Sequence, residues 1–171
     1  MADAGLFVGR RVELIRGEVI EMTPQNGPHA TAVGLVDDAL RRVLRDTHHV
    51  RCQMPLALAD GSAPEPDIAV VPGSRRDFEE QHPTSAELVV EVADSSLAYD
   101  RSSKASVYAE AGISEYWIVD LEHGRLEVHR DPRRADPLGS GYTASRTLLP
   151  GDEVEPLCAP GRRIAVVDCL P

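Results

Sequence analysis

The sequence predicts an α/β domain, a mixed β-sheet flanked by two main helices with a β-hairpin at the N-terminus. Strand-like runs bounded by turn residues recur from Val50 to Leu148, with one amphipathic helical pattern ahead of them near residues 28–46 and a second interrupting them near residues 98–111. The resulting order of helix, three strands, helix and strand is one that a mixed sheet with helical flanks satisfies. At 171 residues the chain has the size of one domain. It is read as residues 1–171, with a core over about 11–130 and C-terminal strands and a turn-rich tail over 131–171.

Arg11 to Met22 alternates apolar and polar residues on either side of Gly17, which predicts a hairpin turning near Arg16-Gly17. Pro28 suits a first helical turn, and Val33, Val36, Leu40, Val43 and Leu44 recur at helical spacing, so a helix is expected over about 28–46. Val50–Ala59, Asp67–Val71 and Glu87–Ala93 read as strands, with a polar loop over Arg75–Ser85. The second helix places Lys104, Val107, Tyr108 and Ala111 on one stripe, with Gly112 as its stop. Glu115–Leu121, Arg125–His129 and Tyr142–Leu148 are further strands, and Ile164–Val167 closes the tail with an apolar segment. Alternation sends Trp117 and Val119 to one sheet face and Tyr116 and Ile118 to the other, as core anchors.

Composition removes several classes of function. With 42% hydrophobic and 27% charged residues the chain can bury a core, and no apolar run approaches the ~20 residues of a membrane helix. The N-terminal residues carry no signal-peptide pattern, so a cytoplasmic location is expected. Cys52, Cys158 and Cys169 lack metal-knuckle spacing and read as reduced, mostly buried thiols. A net charge of −10 argues against a constitutive DNA coat protein, and 4% aromatics leave no stacking platform for single strands. A nuclease that meets phosphodiesters through a metal ion and a local basic rim stays compatible with that charge.

Two carboxylates carry the chemistry. Asp67 opens a strand after Glu65-Pro66, and Glu91 lies inside Leu88-Val-Val-Glu-Val92, where a buried charge needs a partner. If their strands are neighbours, both acids can converge on one hard cation, Mg²⁺ or Mn²⁺ rather than zinc. Of the 18 basic residues 17 are arginine, and the single lysine, Lys104, sits on the inward stripe of the second helix. There it can stabilise charge on a phosphoryl transition state, whereas the competing reading is a surface pair with Asp100 at i,i+4 spacing. The first reading expects Lys104→Ala to abolish divalent-dependent cleavage while leaving the fold nearly as stable. Arg101, with Arg75 and Arg76, is expected to rim the cleft. The other histidines, His48, His49, His82, His123 and His129, lack partners at metal spacing and are assigned to loops and strand surfaces.

Taken as an ordered set, several segments resemble one family. They are Val12-Glu-Leu-Ile-Arg-Gly-Glu-Val-Ile-Glu-Met22, His29, Pro66-Asp-Ile-Ala-Val-Val71, Glu87-Leu-Val-Val-Glu-Val92, Asp100-Arg-Ser-Ser-Lys104, and Tyr108 through Tyr116-Trp-Ile-Val-Asp120. The set is similar to the Uma2-type (DUF820) restriction endonuclease-like family of the PD-(D/E)XK nuclease superfamily. The resemblance implies a restriction-endonuclease-like core and a Mg²⁺ (or Mn²⁺) dependent phosphodiesterase site. In it Asp67 is the motif aspartate, Glu91 the motif acid and Lys104 the lysine moved from strand to helix, Ala93 standing two residues after Glu91. It further implies a metal held by Asp67, Glu91 and the main-chain carbonyl of Val92, with Glu18 as an added carboxylate from the hairpin. His29 would contact the scissile phosphate or a metal-bound water, the competing reading being a polar residue of the first helical turn. Asp94 is read as a helix cap.

The expected function is thus a metal-dependent endonuclease acting on nucleic acid, DNA in the first instance, working as a homodimer and needing no membrane. Two other readings stay open: a non-catalytic binding or regulatory module that keeps the nuclease fold, and a structural acidic protein whose Glu91 is paired by an arginine.

Overall fold

The computed structural model describes residues 9–44, 47–134 and 139–171. The expected end of the first helix at Arg45 and Asp46 lies outside the described residues. Strands β1 (Val12–Ile15) and β2 (Glu18–Glu21) form the antiparallel hairpin. Arg16 and Gly17 both have positive φ, 49° and 84°, as the two-residue turn favoured by twisted strands requires. Arg16 is held in that unusual conformation by its N–H, which donates to Ser62 Oγ at 2.9 Å.

Helix α1 (Gly27–Leu44) follows, then β3 (His48–Cys52), β4 (Ile68–Pro72), a 3₁₀ turn over Arg75–Phe78, and β5 (Leu88–Ala93). The second helix is continuous but not uniform: α2 (Leu97–Tyr99) passes through a π-turn over Asp100–Lys104 into α3 (Ala105–Glu110). Gly112 ends it at φ 78°. Strands β6 (Glu115–Asp120), β7 (Arg125–Arg133) and β8 (Gly141–Leu148) complete a six-stranded sheet of order β3-β4-β5-β6-β7-β8. Only the β5–β6 pair is parallel, because the second helix crosses over between them. The tail adds the small pair β9 (Glu153–Val154) and β10 (Ile164–Ala165).

The expected strand over Val50–Ala59 is cut short at Cys52. Gln53 takes a positive φ of 52° and its N–H turns to Asp67 O at 3.1 Å, so the chain leaves the sheet before Pro55. The sheet is packed on both faces, which explains why β5 and β6 are buried along their whole length. On one face Val36 and Leu40 of α1 meet Val70, Val90 and Trp117, and Val154, Ile164 and Val166 of the tail join that core. On the other, Val107 and Tyr108 of α3 meet Ala69, Val89, Tyr116 and Ile118. Trp117 and Tyr116 therefore anchor opposite faces, each fully buried and each contributing on the order of 3 kcal/mol. No disulfide joins the three cysteines, and no helix among the described residues is long and apolar enough to cross a membrane.

Candidate active site

Strand β5 outruns its neighbour. The β4–β5 ladder ends at the Ile68–Val90 pair, so the N–H and C=O of Val92 have no strand opposite them. Asp67, one residue ahead of β4, fills part of that opening: its Oδ2 accepts the Val92 N–H at 2.9 Å, and its Oδ1 accepts from Gln53 Nε2 at 3.2 Å. His29 fills the rest. Its Nε2 lies 3.1 Å from both Asp67 Oδ2 and the Val92 carbonyl oxygen. The ring is delivered by the first turn of α1, where Asn26 Oδ1 accepts the His29 N–H at 3.0 Å as a helix cap.

Asp67 and Glu91 share a sheet face on adjacent strands, and the Asp67 N–H donates to Glu91 Oε2 at 3.3 Å. The other oxygen, Glu91 Oε1, is taken by two donors one helical turn apart, Lys104 Nζ at 3.1 Å and the Tyr108 hydroxyl at 2.5 Å. Lys104 also donates to Glu13 Oε2 at 2.5 Å, tying the hairpin to the helix across 91 positions of sequence. Glu13, His29, Asp67, Glu91 and Lys104 line a cavity of about 360 Å³ beneath the hairpin, with Asp100 and Tyr99 at its wall. Asp100 is buried, and among the described residues its carboxylate accepts from the Ser96 hydroxyl alone, at 2.6 Å.

The electrostatics follow from four buried carboxylates, Glu13, Asp67, Glu91 and Asp100, around one buried ammonium. Burial, then the charge of Glu91, pushes Asp67 up to about 7, against the opposing hydrogen bonds from Val92 and Gln53. Burial and Glu91 likewise push Asp100 up to about 7. Glu13 is raised by burial despite Lys104. Burial opposes the charge on Lys104, but Glu91 and Glu13 more than offset it and hold the ammonium protonated. Burial lowers His29. Among the described residues no three His, Cys, Asp or Glu side chains converge into a complete metal cage, so a cation held here would also need the main-chain oxygen of Val92.

Asp67, Glu91, Lys104, His29 and Val92 thus meet in one place. Glu18 does not join them; it is exposed beside the hairpin turn, opposite Ile15, and the hairpin carboxylates that line the cavity are the buried Glu13 and the exposed Glu21. A signal for Glu13 was present, since alternation puts it on the same side of β1 as the buried Ile15. Tyr108 could be read only as a core residue, because its hydroxyl meets a carboxylate seventeen positions away. Lys104 bonds Glu13 and Glu91 rather than Asp100, so the surface-pair reading does not hold. Asp94 is not the cap of the second helix: it is exposed and accepts from Asn26 Nδ2 at 2.6 Å, and Ser96 stands at the cap position. Arg101 does not rim the cavity either. Two buried acids on β6 and β7 draw it away, and its guanidinium grips both oxygens of Glu127 and lies 3.7 Å from Asp120. Arg75 and Arg76, on the 3₁₀ turn, are also outside the lining, whose basic members are Arg11 and Lys104. His48 and His123 turn out to have carboxylate partners, Glu87 at 2.8 Å and Asp120 at 2.9 Å.

The family model "Uma2: Putative restriction endonuclease" matches residues 8–167. The crystal structure of "a putative nuclease belonging to DUF820" from Anabaena variabilis ATCC 29413 superposes with a TM-score of 0.71, covering 92% of this chain and 88% of that one at 16% sequence identity. That likeness shows a shared fold. No curated protein is significantly similar to this chain.

Proposed function

The chain belongs to the Uma2 family, and from that membership together with the cavity chemistry we propose that it is a divalent-metal-dependent endonuclease hydrolysing phosphodiester bonds in DNA. One observation carries the reading: the cavity buries four carboxylates against a single ammonium, a charge arrangement that is expensive unless a cation or protons complete it. The donor set fits a divalent ion. Asp67 and Glu91 supply carboxylate oxygens, and Val92 supplies a carbonyl that the sheet leaves open. The chemistry that a bound ion supplies in such a site is a lowered pKa for a water and neutralisation of charge on the phosphate.

The chain's own residues set the rest. Lys104 remains protonated, so it serves as a charge stabiliser and not as a base. Two of its three N–H bonds go to Glu13 and Glu91, which leaves one for a phosphate oxygen entering the cavity. Tyr108 and Lys104 together occupy Glu91 Oε1 and so fix the orientation of Oε2 towards Asp67. Cutting both strands of a duplex calls for two sites, which a homodimer would provide. Plasmid cleavage in Mg²⁺ or Mn²⁺, run beside Asp67→Asn and Glu91→Gln, tests the proposal. Cleavage by the native chain alone supports it; equal cleavage by the two variants, or ion binding without any cleavage, returns the fold to a binding role.

A further inference from the structure

We infer that the imidazole of His29 is itself a ligand of the cation site, and that the site takes a first-row divalent transition ion of the Mn²⁺ type in preference to Mg²⁺. The inference rests on the metal-dependent reading above and adds a donor and a choice of ion to it; as no three side chains form a ready cage among the described residues, the donors it draws together are His29, Asp67 and the main-chain oxygen of Val92. His29 Nε2 stands 3.1 Å from Asp67 Oδ2 and 3.1 Å from Val92 O. Donors on neighbouring corners of an octahedron with bonds of ~2.1 Å lie ~3.0 Å apart, so this nitrogen has the spacing from each oxygen that ligands of one ion adopt.

The rest of the ring supports a role towards those two oxygens. Its side chain is 14% exposed, and its second nitrogen, Nδ1, is buried without a partner. Nε2 donates to the two oxygens only while it carries the ring proton, and ligation through Nε2 would move that proton to Nδ1, so ion binding and a change of tautomer go together. Among the described residues the ring's hydrogen-bond partners are the two oxygens that would face a cation, and the Asn26 cap fixes the backbone that delivers it. The chemical class of ion follows from the donors. An imidazole among carboxylate and carbonyl oxygens favours ions further along the first transition row, whereas Mg²⁺ prefers oxygen throughout and keeps more of its water.

Calorimetric titration of the full-length chain with Mn²⁺ and with Mg²⁺, combined with pulsed electron paramagnetic resonance of the Mn²⁺-loaded protein, tests this. Mn²⁺ should bind at least about tenfold more tightly than Mg²⁺, and the echo modulation should carry a nitrogen coupling that changes when histidine is labelled with ¹⁵N. His29→Ala should remove the coupling and weaken Mn²⁺ about tenfold or more while moving Mg²⁺ far less, with an unchanged melting temperature in the absence of metal. His29→Gln, which keeps a hydrogen-bond donor near the two oxygens, should behave like His29→Ala. Mn²⁺ bound without histidine coupling, or a variant that weakens both ions equally, overturns the inference. If Asp67→Asn abolishes Mn²⁺ binding in that case, the metal-dependent reading survives alone. Mn²⁺ binding that is indifferent to Asp67→Asn, or no binding to the native chain, overturns both.

Discussion

The molecule buries carboxylates in two regions, and it treats them in opposite ways. Across β6 and β7, Glu115, Asp120 and Glu127 face Arg130, Arg125 and Arg101. Glu115 takes Arg130 at 2.7 Å and the Trp117 N–H at 3.0 Å, Asp120 takes Arg125 at 2.8 Å, and Glu127 takes Arg101 on both oxygens. Burial raises Asp120, but its bonds from His123 and Arg125 win and hold it below the ordinary carboxyl range; Arg101 does the same for Glu127. In the cavity the carboxylates outnumber the ammonium, and Asp67 and Asp100 are pushed upward instead. A buried acid therefore says little about function by itself. The informative feature is the missing counter-charge.

The largest expected effect sets the two regions furthest apart. Asp67→Asn should lower cleavage by about 10³-fold or more with little loss of stability, since it relieves like-charge repulsion with Glu91, whereas Glu91→Gln should lose cleavage as far and stability as well, because it removes a charge partner of the buried Lys104. In the arginine-paired region Arg130→Met should leave the intrinsic cleavage rate near native but cost roughly 3–5 kcal/mol in urea unfolding, because it strands Glu115. A rate loss from Arg130→Met as large as that from Asp67→Asn would dissolve the distinction.

Lys104→Ala sharpens it from the other side. The sequence alone suggests that this change spares stability, but the structure overturns that expectation: Lys104 is the buried cation between Glu13 and Glu91. The variant should lose cleavage and also unfold about 3–5 kcal/mol more easily without metal. Saturating Mn²⁺ at about 100 times its Kd should raise native stability by about 2.7 kcal/mol, and Asp67→Asn should show no such gain in a thermal melt.

The smallest effect is a pH dependence of opposite sign in the two regions. Asp100 has a folded pKa of about 7, above the ordinary 3.8, so its contribution is present at acid pH and is lost as pH rises towards 7. Glu127 lies below its ordinary 4.5, so its contribution is present above that value and is lost as pH falls through the folded pKa. Between about pH 5 and pH 8 the native chain should lose ~1–2 kcal/mol relative to Asp100→Asn. Glu127→Gln should flatten only the acid limb, and urea midpoints across pH would read both slopes.

Much of this was legible along the chain. Asp67 and Glu91 stood out because a charge amid strand-forming residues is conspicuous, and Lys104 because it is the lone lysine on an inward stripe. The hairpin, the two helices and the two-sided burial of Tyr116 and Trp117 followed from periodicity. What stayed hidden was pairing at long range. Sequence does not separate Glu13 from Glu18 because the contact of Glu13 with Lys104 depends on how the hairpin docks, and it points Arg101 to the cleft because Glu127, 26 positions later, is brought beside it only by the sheet. The overhang of β5 beyond β4, which frees the Val92 carbonyl, is a matter of register and leaves no compositional mark.

The π-turn at Asp100–Lys104 makes the chemistry severable from the core. A π-turn holds one residue more than an α-helix would place in the same span. Deleting the exposed Ser102 would let the helix close up regularly over the same span, keeping Val107 and Tyr108 in their apolar cluster and Leu97–Tyr99 ahead of the turn while shifting only the residues of the turn itself. Those residues include Asp100 and Lys104, which line the cavity. A single lost codon could thus leave a folded protein altered at the cavity wall, a far shorter mutational path to a silent copy than any that passes through the hydrophobic interior.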